Sequence, residues 1–130
     1  MTGKLKHVLL VDDEPDIQSI VRLALERVGG MSVTVCDSGL EALQYLKIAP
    51  HRPDLVLLDM MMPGMDGLET MQAIQESWSG LPIVFITARS WTHDMIEAQR
   101  PEVLGVITKP FDPMQLAEQI RGMYYRRRTS

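Results

Sequence analysis

Acidic side chains follow two short apolar runs in this sequence. Asp12 and Asp13 come directly after the run 7–11, and Asp59 comes directly after the run 55–58. Apolar runs of this length between turn residues are typical of strands buried on both faces of a parallel sheet, and the carboxyl ends of such strands meet at one edge. Carboxylates a few Å apart either raise a pKa or bind a divalent ion, and hard oxygen ligands favour Mg²⁺. The pattern therefore predicts an acidic site that suits Mg²⁺.

Two further apolar runs lead to residues that could complete this site. The run 81–86 ends at Thr87, and the run 103–108 is followed by Lys109. A lysine among three carboxylates would lower the cost of bringing their charges together. Taken alone, Asp59 could be a strand-end carboxylate that solvates a loop, and Thr87 could cap a strand end. The combination of these residues is what favours a chemical site.

Helical patterns lie between the apolar runs and must position the site. Pro15 opens the first predicted helix, and Gly29 and Gly30 end it. Apolar residues recur every three or four positions along this helix, which predicts one buried face. We expect the following residues on that face: Ile17, Ile20, Val21, Ala24, Leu25 and Val28.

Caps mark the later helices. Ser38 and Glu41 have the spacing of a capping box, Asp66 begins a third helix in the same way, and Asp112 begins the last one. The second helix is expected to bury Leu40, Leu43 and Leu46. The segment 90–100 is less regular and could hold a short helix. Strands that alternate with helices five times predict an α/β fold, with a doubly wound parallel sheet and helices on both faces.

Composition limits the class of protein. The chain has 130 residues, which fits one domain, with a core at about 6–126 and a tail or the start of a linker at 127–130. A net charge of −4 argues against nucleic acid as the main partner. No signal peptide or membrane span is visible, so we expect a cytoplasmic protein without a membrane partner. The single cysteine, Cys36, is expected to be a buried core thiol.

The residues at the ends of the apolar runs resemble the motifs of a known family. Asp12 with Asp13, then Asp59, then Thr87 with Ala88, and then Lys109 with Pro110 follow the pattern of receiver domains in two-component response regulators, including chemotaxis receivers. The resemblance implies a flavodoxin-like fold with five parallel strands in the order 2-1-3-4-5. It also implies a signalling switch rather than an enzyme, although such a domain assists its own phosphorylation and dephosphorylation.

The resemblance assigns a metal site and an acceptor. Asp59 would accept a phosphoryl group on a carboxylate oxygen. Mg²⁺, or Mn²⁺ in its place, would be bound directly by Asp13 and through water by Asp12. Asp59 and the backbone carbonyl of Met61 would complete the protein ligands.

Other residues would stabilise the phosphoryl group. Lys109 would pair with one phosphoryl oxygen, and the hydroxyl of Thr87 would approach another. The backbone N–H groups of Met60 and Ala88 would donate hydrogen bonds. Thr87 would also be the switch, because its movement toward the phosphoryl group leaves space into which the following segment can repack. The peptide between Lys109 and Pro110 would be cis, as in the family.

Three positions depart from the commonest family pattern. Val106 replaces an aromatic residue, which excludes an aromatic flip from the switch. Met61 and Arg89 lie where the family tunes the access of hydrolytic water. An apolar side chain and a cation at these positions predict a phosphorylated Asp59 that outlives those of fast chemotaxis receivers.

The resemblance also implies partners. A histidine kinase or a histidine phosphotransfer protein would supply the phosphoryl group. An output protein, or a second copy of the chain, would bind the face made by the fourth helix, fifth strand and fifth helix. Candidate residues on that face are Trp91, Met95, Val106 and Met114.

Other functions on the same architecture stay open at this point. A receiver-like domain that binds protein and is never phosphorylated would carry the same residues. A flavin protein is disfavoured because the acidic loop 12–16 would repel phosphate. A haloacid-dehalogenase-type phosphatase is disfavoured because Met61 occupies the place of its second aspartate.

Overall fold

The computed structural model describes residues 4–88 and 102–126. Its five strands form one parallel sheet in the order β2-β1-β3-β4-β5. The strands are β1 (His7–Val11), β2 (Ser32–Cys36), β3 (Leu55–Asp59), β4 (Ile83–Thr87) and β5 (Val103–Thr108). The predicted fold class and strand order are therefore confirmed.

Burial explains why the strands have different sequence patterns. Every residue of β3 and β4 is buried, whereas β2 and β5, at the two edges of the sheet, contain exposed or half-buried positions. Strands covered on both faces need continuous apolar sequence, and edge strands do not. In the paired strands Val11 lies opposite Leu58. Asp12 and Asp59, the residues that follow Val11 and Leu58, therefore reach the same edge of the sheet.

Helices cover both faces of the sheet. They are α1 (Pro15–Arg22), a π-helix that continues it (Leu23–Val28), α2 (Gly39–Ile48), α3 (Gly67–Ser77) and a C-terminal helix (Leu116–Arg126). One apolar core lies under α1, the π-helix and the C-terminal helix, and a second lies under α2 and α3. The predicted helix within 90–100 lies outside the described residues. No helix in the described ranges is both long enough and apolar enough to cross a membrane.

The predicted buried face of the first helix is partly wrong. Val21, Ala24 and Leu25 are buried, but Ile20 is 38% exposed and Val28 is 45% exposed. For Val28 the cause is the π-helix, in which the Gly29 N–H donates to the Ala24 carbonyl, five residues earlier. This wider turn rotates the residues that follow, so a pattern of three and four no longer keeps one face inward.

The caps of α2 and α3 differ. Asp66 and Glu69 form a complete capping box, as predicted. Ser38 accepts a hydrogen bond from the Glu41 N–H at 3.1 Å, but the Glu41 carboxylate accepts from the Asp37 N–H instead of returning to Ser38.

One buried position predicted for α2 is also wrong, because Leu40 is 59% exposed. Ala42 and Leu46, four residues apart, form the buried side of this helix. Leu40 is only two residues before Ala42 and therefore faces the opposite side. The prediction for Cys36 is confirmed: the thiol is buried, and burial raises its pKa to about 11.

Candidate functional site

Two carboxylates are fixed at the carboxyl edge of the sheet. Asp12 follows β1 and is fully buried, and Asp59 is the last residue of β3 and is 3% exposed. Asp12 Oδ1 accepts a hydrogen bond from the Glu14 N–H at 2.8 Å, and Asp59 Oδ1 accepts one from the Met61 N–H at 3.1 Å. Each carboxylate is thus held by the N–H group two residues later, as in an Asx-turn. The second oxygen of each aspartate, Oδ2, takes no part in its turn.

Lys109 brings a positive charge to these second oxygens. Its Nζ lies 3.1 Å from Asp12 Oδ2 and 3.6 Å from Asp59 Oδ2. The shortest ion pair is made to Glu14 Oε1, at 2.7 Å. The backbone N–H of Lys109 donates to the Thr87 carbonyl at 2.8 Å, which extends the pairing of β5 with β4. The following peptide bond, to Pro110, is cis, as expected from the family resemblance.

The charges of the site perturb one another. Burial, with the nearby Asp12 carboxylate, raises the pKa of Asp59 to about 6. Burial also raises the pKa of Asp12 above its usual value. Burial alone would lower the pKa of Lys109, but its contacts with the Glu14 and Asp12 carboxylates outweigh this effect and raise it. The lysine therefore stays protonated, and the acids carry a charge that it only partly balances.

The unbalanced charge fits a divalent cation. One oxygen each of Asp12, Glu14 and Asp59 lies within 4.8 Å of the others. Within the described residues, Asp12 Oδ2 is buried and accepts no well-directed hydrogen bond, although the Lys109 ammonium is its ion-pair partner. Clustered carboxylate oxygens with spare lone pairs are the ligands that hard cations such as Mg²⁺ prefer.

The three acids that lie close together differ from the three acids that were expected around the metal ion. Asp13 was expected to be a direct metal ligand, but it is exposed and its carboxylate is not part of the three-acid cluster. Its charge is still close enough to raise the pKa of Asp59. Glu14, the N-cap residue of α1, is the third acid of the cluster, and its longer side chain reaches the Lys109 ammonium.

The Met60 N–H, which was expected to donate to the phosphoryl group, has a backbone partner in the sheet. This N–H donates to the Ile86 carbonyl at 3.1 Å. Successive N–H groups of a strand point in opposite directions, and the pairing of β3 with β4 continues one residue beyond Asp59. The next N–H, on Met61, faces the Asp59 carboxylate instead. Met61 is therefore the residue whose backbone could donate to a group bound on Asp59.

The remaining predicted residues lie around this centre. Thr87 is fully buried at the end of β4, and Ala88 beside it is exposed. The side chain of Met61 is 49% exposed. Val106 is half-buried against the core under α3. Arg89, Trp91 and Met95, for which roles were predicted, lie outside the described residues.

Sequence reasoning missed two residues of the site. Glu14 belongs to the acidic loop 12–16, and the sequence patterns gave it no role in the site. The sequence signal was its place directly after the acid pair, where the longer side chain is a poor cap and is available for another partner. Gln18 donates from Nε2 to the Asp12 carbonyl at 2.6 Å and to Asp37 Oδ1 at 2.7 Å. It thereby fixes the loop that carries Asp12.

Solved structures resemble this fold over nearly the whole chain. The Vibrio cholerae chemotaxis protein CheY4 has a TM-score of 0.79 and 28% identity, covering 92% of this chain and 99% of that protein's chain. The Thermotoga maritima response regulator TrrA, solved in complex with Mg²⁺ and BeF, has a TM-score of 0.75 and 30% identity, covering 91% and 98%.

Sequence comparison gives the same family. Response regulator Rre1 of Synechocystis is 38% identical over 125 residues, which is 95% of this chain and 53% of that protein. The chain spans about half the length of the curated relatives it matches. The pattern of the response regulator receiver domain matches residues 8–121. The chain therefore belongs to the response regulator receiver domain family.

Proposed function

We propose that the chain is a phosphoacceptor switch in which Asp59 receives a phosphoryl group from a phosphohistidine donor. An Asp59 oxygen attacks phosphorus, the P–N bond to the donor histidine breaks, and that histidine keeps the electron pair and takes a proton. The product is an acyl phosphate on Asp59. The observation that carries the proposal is the buried Asp59 carboxylate with the Lys109 ammonium 3.6 Å away, beside the second buried acid, Asp12.

The buried acids are the groups best suited to hold Mg²⁺. Asp12 and Asp59 present carboxylate oxygens at the same edge of the sheet. Asp13 and the backbone carbonyl of Met61 are assigned to the ion by family resemblance, and Asp13 would have to turn inward to bind it. Bound Mg²⁺ would supply positive charge for the phosphoryl oxygens and for the acids that surround them.

The chain itself offers three kinds of group to a phosphoryl on Asp59. Lys109 supplies an ammonium, and the backbone N–H of Met61 supplies a donor close to the carboxylate. The Ala88 N–H and the Thr87 hydroxyl are proposed as further donors from the end of β4. Asp59 and Thr87 are buried, and electrostatic contacts to buried groups are stronger than in solution.

Phosphorylation would be read out through Thr87. Its buried side chain lies at the end of β4, so a shift of its hydroxyl toward the phosphoryl group would be passed to the chain that follows β4. We propose that the face around β5 and the C-terminal helix then binds an output protein or a second copy. Met114, which is 65% exposed, and Val106 are the described candidates on it.

Family membership supports the nature of the donor. Response regulators receive their phosphoryl group from histidine kinases or histidine phosphotransfer proteins, and we propose such a donor here. We also propose that the chain and its donor interact in the cytoplasm. The family match at 8–121 also supports a single receiver domain over residues 1–130.

Intact mass spectrometry tests the proposal. The chain is incubated with acetyl phosphate and Mg²⁺, beside the Asp59→Asn variant and a sample with a chelator. We expect the mass of one phosphoryl group on the wild type and none in the other two samples. A wild type that is folded, binds Mg²⁺ and gains no mass would instead be a receiver-like binding domain that works without phosphorylation.

A further inference from the structure

The shortest ion pair of Lys109 is made to Glu14, which has no part in the phosphoryl chemistry described above. Lys109 Nζ lies 2.7 Å from Glu14 Oε1 and 3.6 Å from Asp59 Oδ2. Asp12 Oδ2 is the third carboxylate oxygen, at 3.1 Å. An ammonium has three protons and no acceptor, so its position is a compromise among these three partners. Glu14 draws the ammonium toward α1 and away from Asp59.

Glu14 uses its side chain for this contact and not for its helix. It occupies the N-cap position of α1, where side chains commonly accept a hydrogen bond from the first turn. Glu14 makes no such bond. Its carboxylate instead reaches Lys109, which is 95 positions away in the sequence. The contact therefore joins the loop after β1 to the loop after β5.

The three partners of Lys109 differ in their freedom to move. The side chains of Asp12 and Asp59 are 0% and 4% exposed and are fixed at strand ends. The Glu14 side chain is 57% exposed. Glu14 can turn into water without leaving a buried charge unpaired, whereas either aspartate cannot. Glu14 is thus the partner that Lys109 can lose most easily.

We propose that Glu14 is a positioning residue for Lys109, which it holds away from Asp59 until a phosphoryl group on Asp59 attracts the ammonium. The inference rests on the proposed function of Asp59. Exposed ion pairs are weak, so Glu14 slows phosphorylation by about two- to fivefold and does not prevent it. In the absence of a phosphoryl group, it also weakens the competition of Lys109 with Mg²⁺ for the two aspartates.

The first test is the initial rate of phosphorylation by acetyl phosphate at saturating Mg²⁺. We expect Glu14→Gln to be about two- to fivefold faster than the wild type. Asp16→Asn is the matched control, because it removes an exposed acid from the first turn of the same helix. This control should leave the rate nearly unchanged. Equal rates for Glu14→Gln and wild type would overturn the proposal.

A double-mutant cycle with Lys109→Gln separates a positioning role from a general effect of charge. The rate gain from Glu14→Gln should disappear when Lys109 is absent. If the gain persists in the Lys109→Gln background, Glu14 acts through its charge and not through Lys109, and the proposal is wrong.

Calorimetric titration with Mg²⁺ gives a readout that needs no phosphorylation. Glu14→Gln should weaken Mg²⁺ binding about two- to fivefold, because the released Lys109 competes for Asp12 and Asp59. This weakening should vanish in the Lys109→Gln background. Weakening in both backgrounds would make Glu14 a metal ligand and overturn the proposal. A wild type that is never phosphorylated would refute the function of Asp59 alone and leave this titration to decide on Glu14.

Discussion

Lys109 Nζ lies 3.6 Å from Asp59 Oδ2, although the strands that carry the two residues are not neighbours. β4 separates β3 from β5 in the sheet. The lysine side chain crosses the end of β4, and the Lys109 N–H is held by the Thr87 carbonyl at that end. The ends of β3, β4 and β5 therefore all contribute to the distance between Lys109 and Asp59. A change at any of these strand ends should alter the charge balance at Asp59.

The first prediction concerns the pH dependence of stability. Folding raises the pKa of Asp59 from 3.8 to about 6, so the native state binds more protons than the unfolded state between these values. Stability therefore falls as the pH rises through this window. Asp59→Asn removes the effect and should stabilise the chain by roughly 2 to 3 kcal/mol at neutral pH.

Chemical denaturation with a chelator present measures this difference. The gain of Asp59→Asn should shrink to near zero only well below pH 3.8, where the aspartate is protonated in both the folded and the unfolded state. A variant that is less stable than the wild type at neutral pH would contradict the burial of an ionised, poorly balanced Asp59.

The second prediction concerns Mg²⁺. A ligand that binds only the folded state at one hundred times its dissociation constant should raise the free energy of unfolding by about 2.7 kcal/mol. We expect this gain in the wild type and in Asp16→Asn, and only a small part of it in Asp12→Asn. Thermal unfolding with and without Mg²⁺ measures it. An equal gain in Asp12→Asn would place the ion elsewhere.

The third prediction concerns the loop after Asp59. A Cβ at Gly67 would lie 2.6 Å from the Asp59 carbonyl oxygen and 2.6 Å from the Met60 Cα, both of which are backbone atoms. Gly67→Ala should therefore cost about 2 kcal/mol of stability and displace the acceptor loop. A Cβ at Gly122, in the C-terminal helix, would have none of these close contacts, so Gly122→Ala serves as the control.

Denaturant unfolding of both variants tests this contrast. Gly122→Ala should stabilise the chain by about 0.5 to 1 kcal/mol, because alanine loses less backbone entropy in a helix. If Gly67→Ala were as harmless as Gly122→Ala, the close packing of α3 on the acceptor loop would be refuted.

The fourth prediction concerns the lifetime of the phosphorylated state. The side chain of Met61 is 49% exposed near Asp59, and we expect an apolar group there to hinder hydrolytic water. Met61→Asn should shorten the lifetime, and Arg89→Glu should do the same if the cation misdirects water. Loss of phosphorylated protein with time, after removal of the donor, measures both. Unchanged lifetimes would remove the basis for a slow receiver.

Most of the sheet could be predicted because buried parallel strands need continuous apolar sequence. The predicted run at β1 matches the observed His7–Val11, and Asp59 ends β3 as expected. The acids at the strand ends followed from the same reasoning, since strand ends meet at one edge. The strand order came from the family resemblance and not from the patterning of the residues.

The errors have physical causes that patterns of side chains do not record. The exposure of Val28 follows from backbone hydrogen bonds in the π-helix, and a count of apolar residues carries no information about those bonds. The backbone partner of the Met60 N–H was not foreseen, because sheet pairing continues one residue past Asp59. Glu14 was missed because its ion pair with Lys109 depends on how two distant loops meet.

The central claim is that Asp59 itself carries the phosphoryl group. The most direct measurement is borohydride reduction of the chain after treatment with acetyl phosphate and Mg²⁺, followed by peptide mass spectrometry, since reduction marks the carboxyl that held an acyl phosphate. We predict that the mark lies on Asp59 and on no other acid. A mark on Asp12, Asp13 or Glu14, or no mark on a chain that binds Mg²⁺, would contradict the assignment.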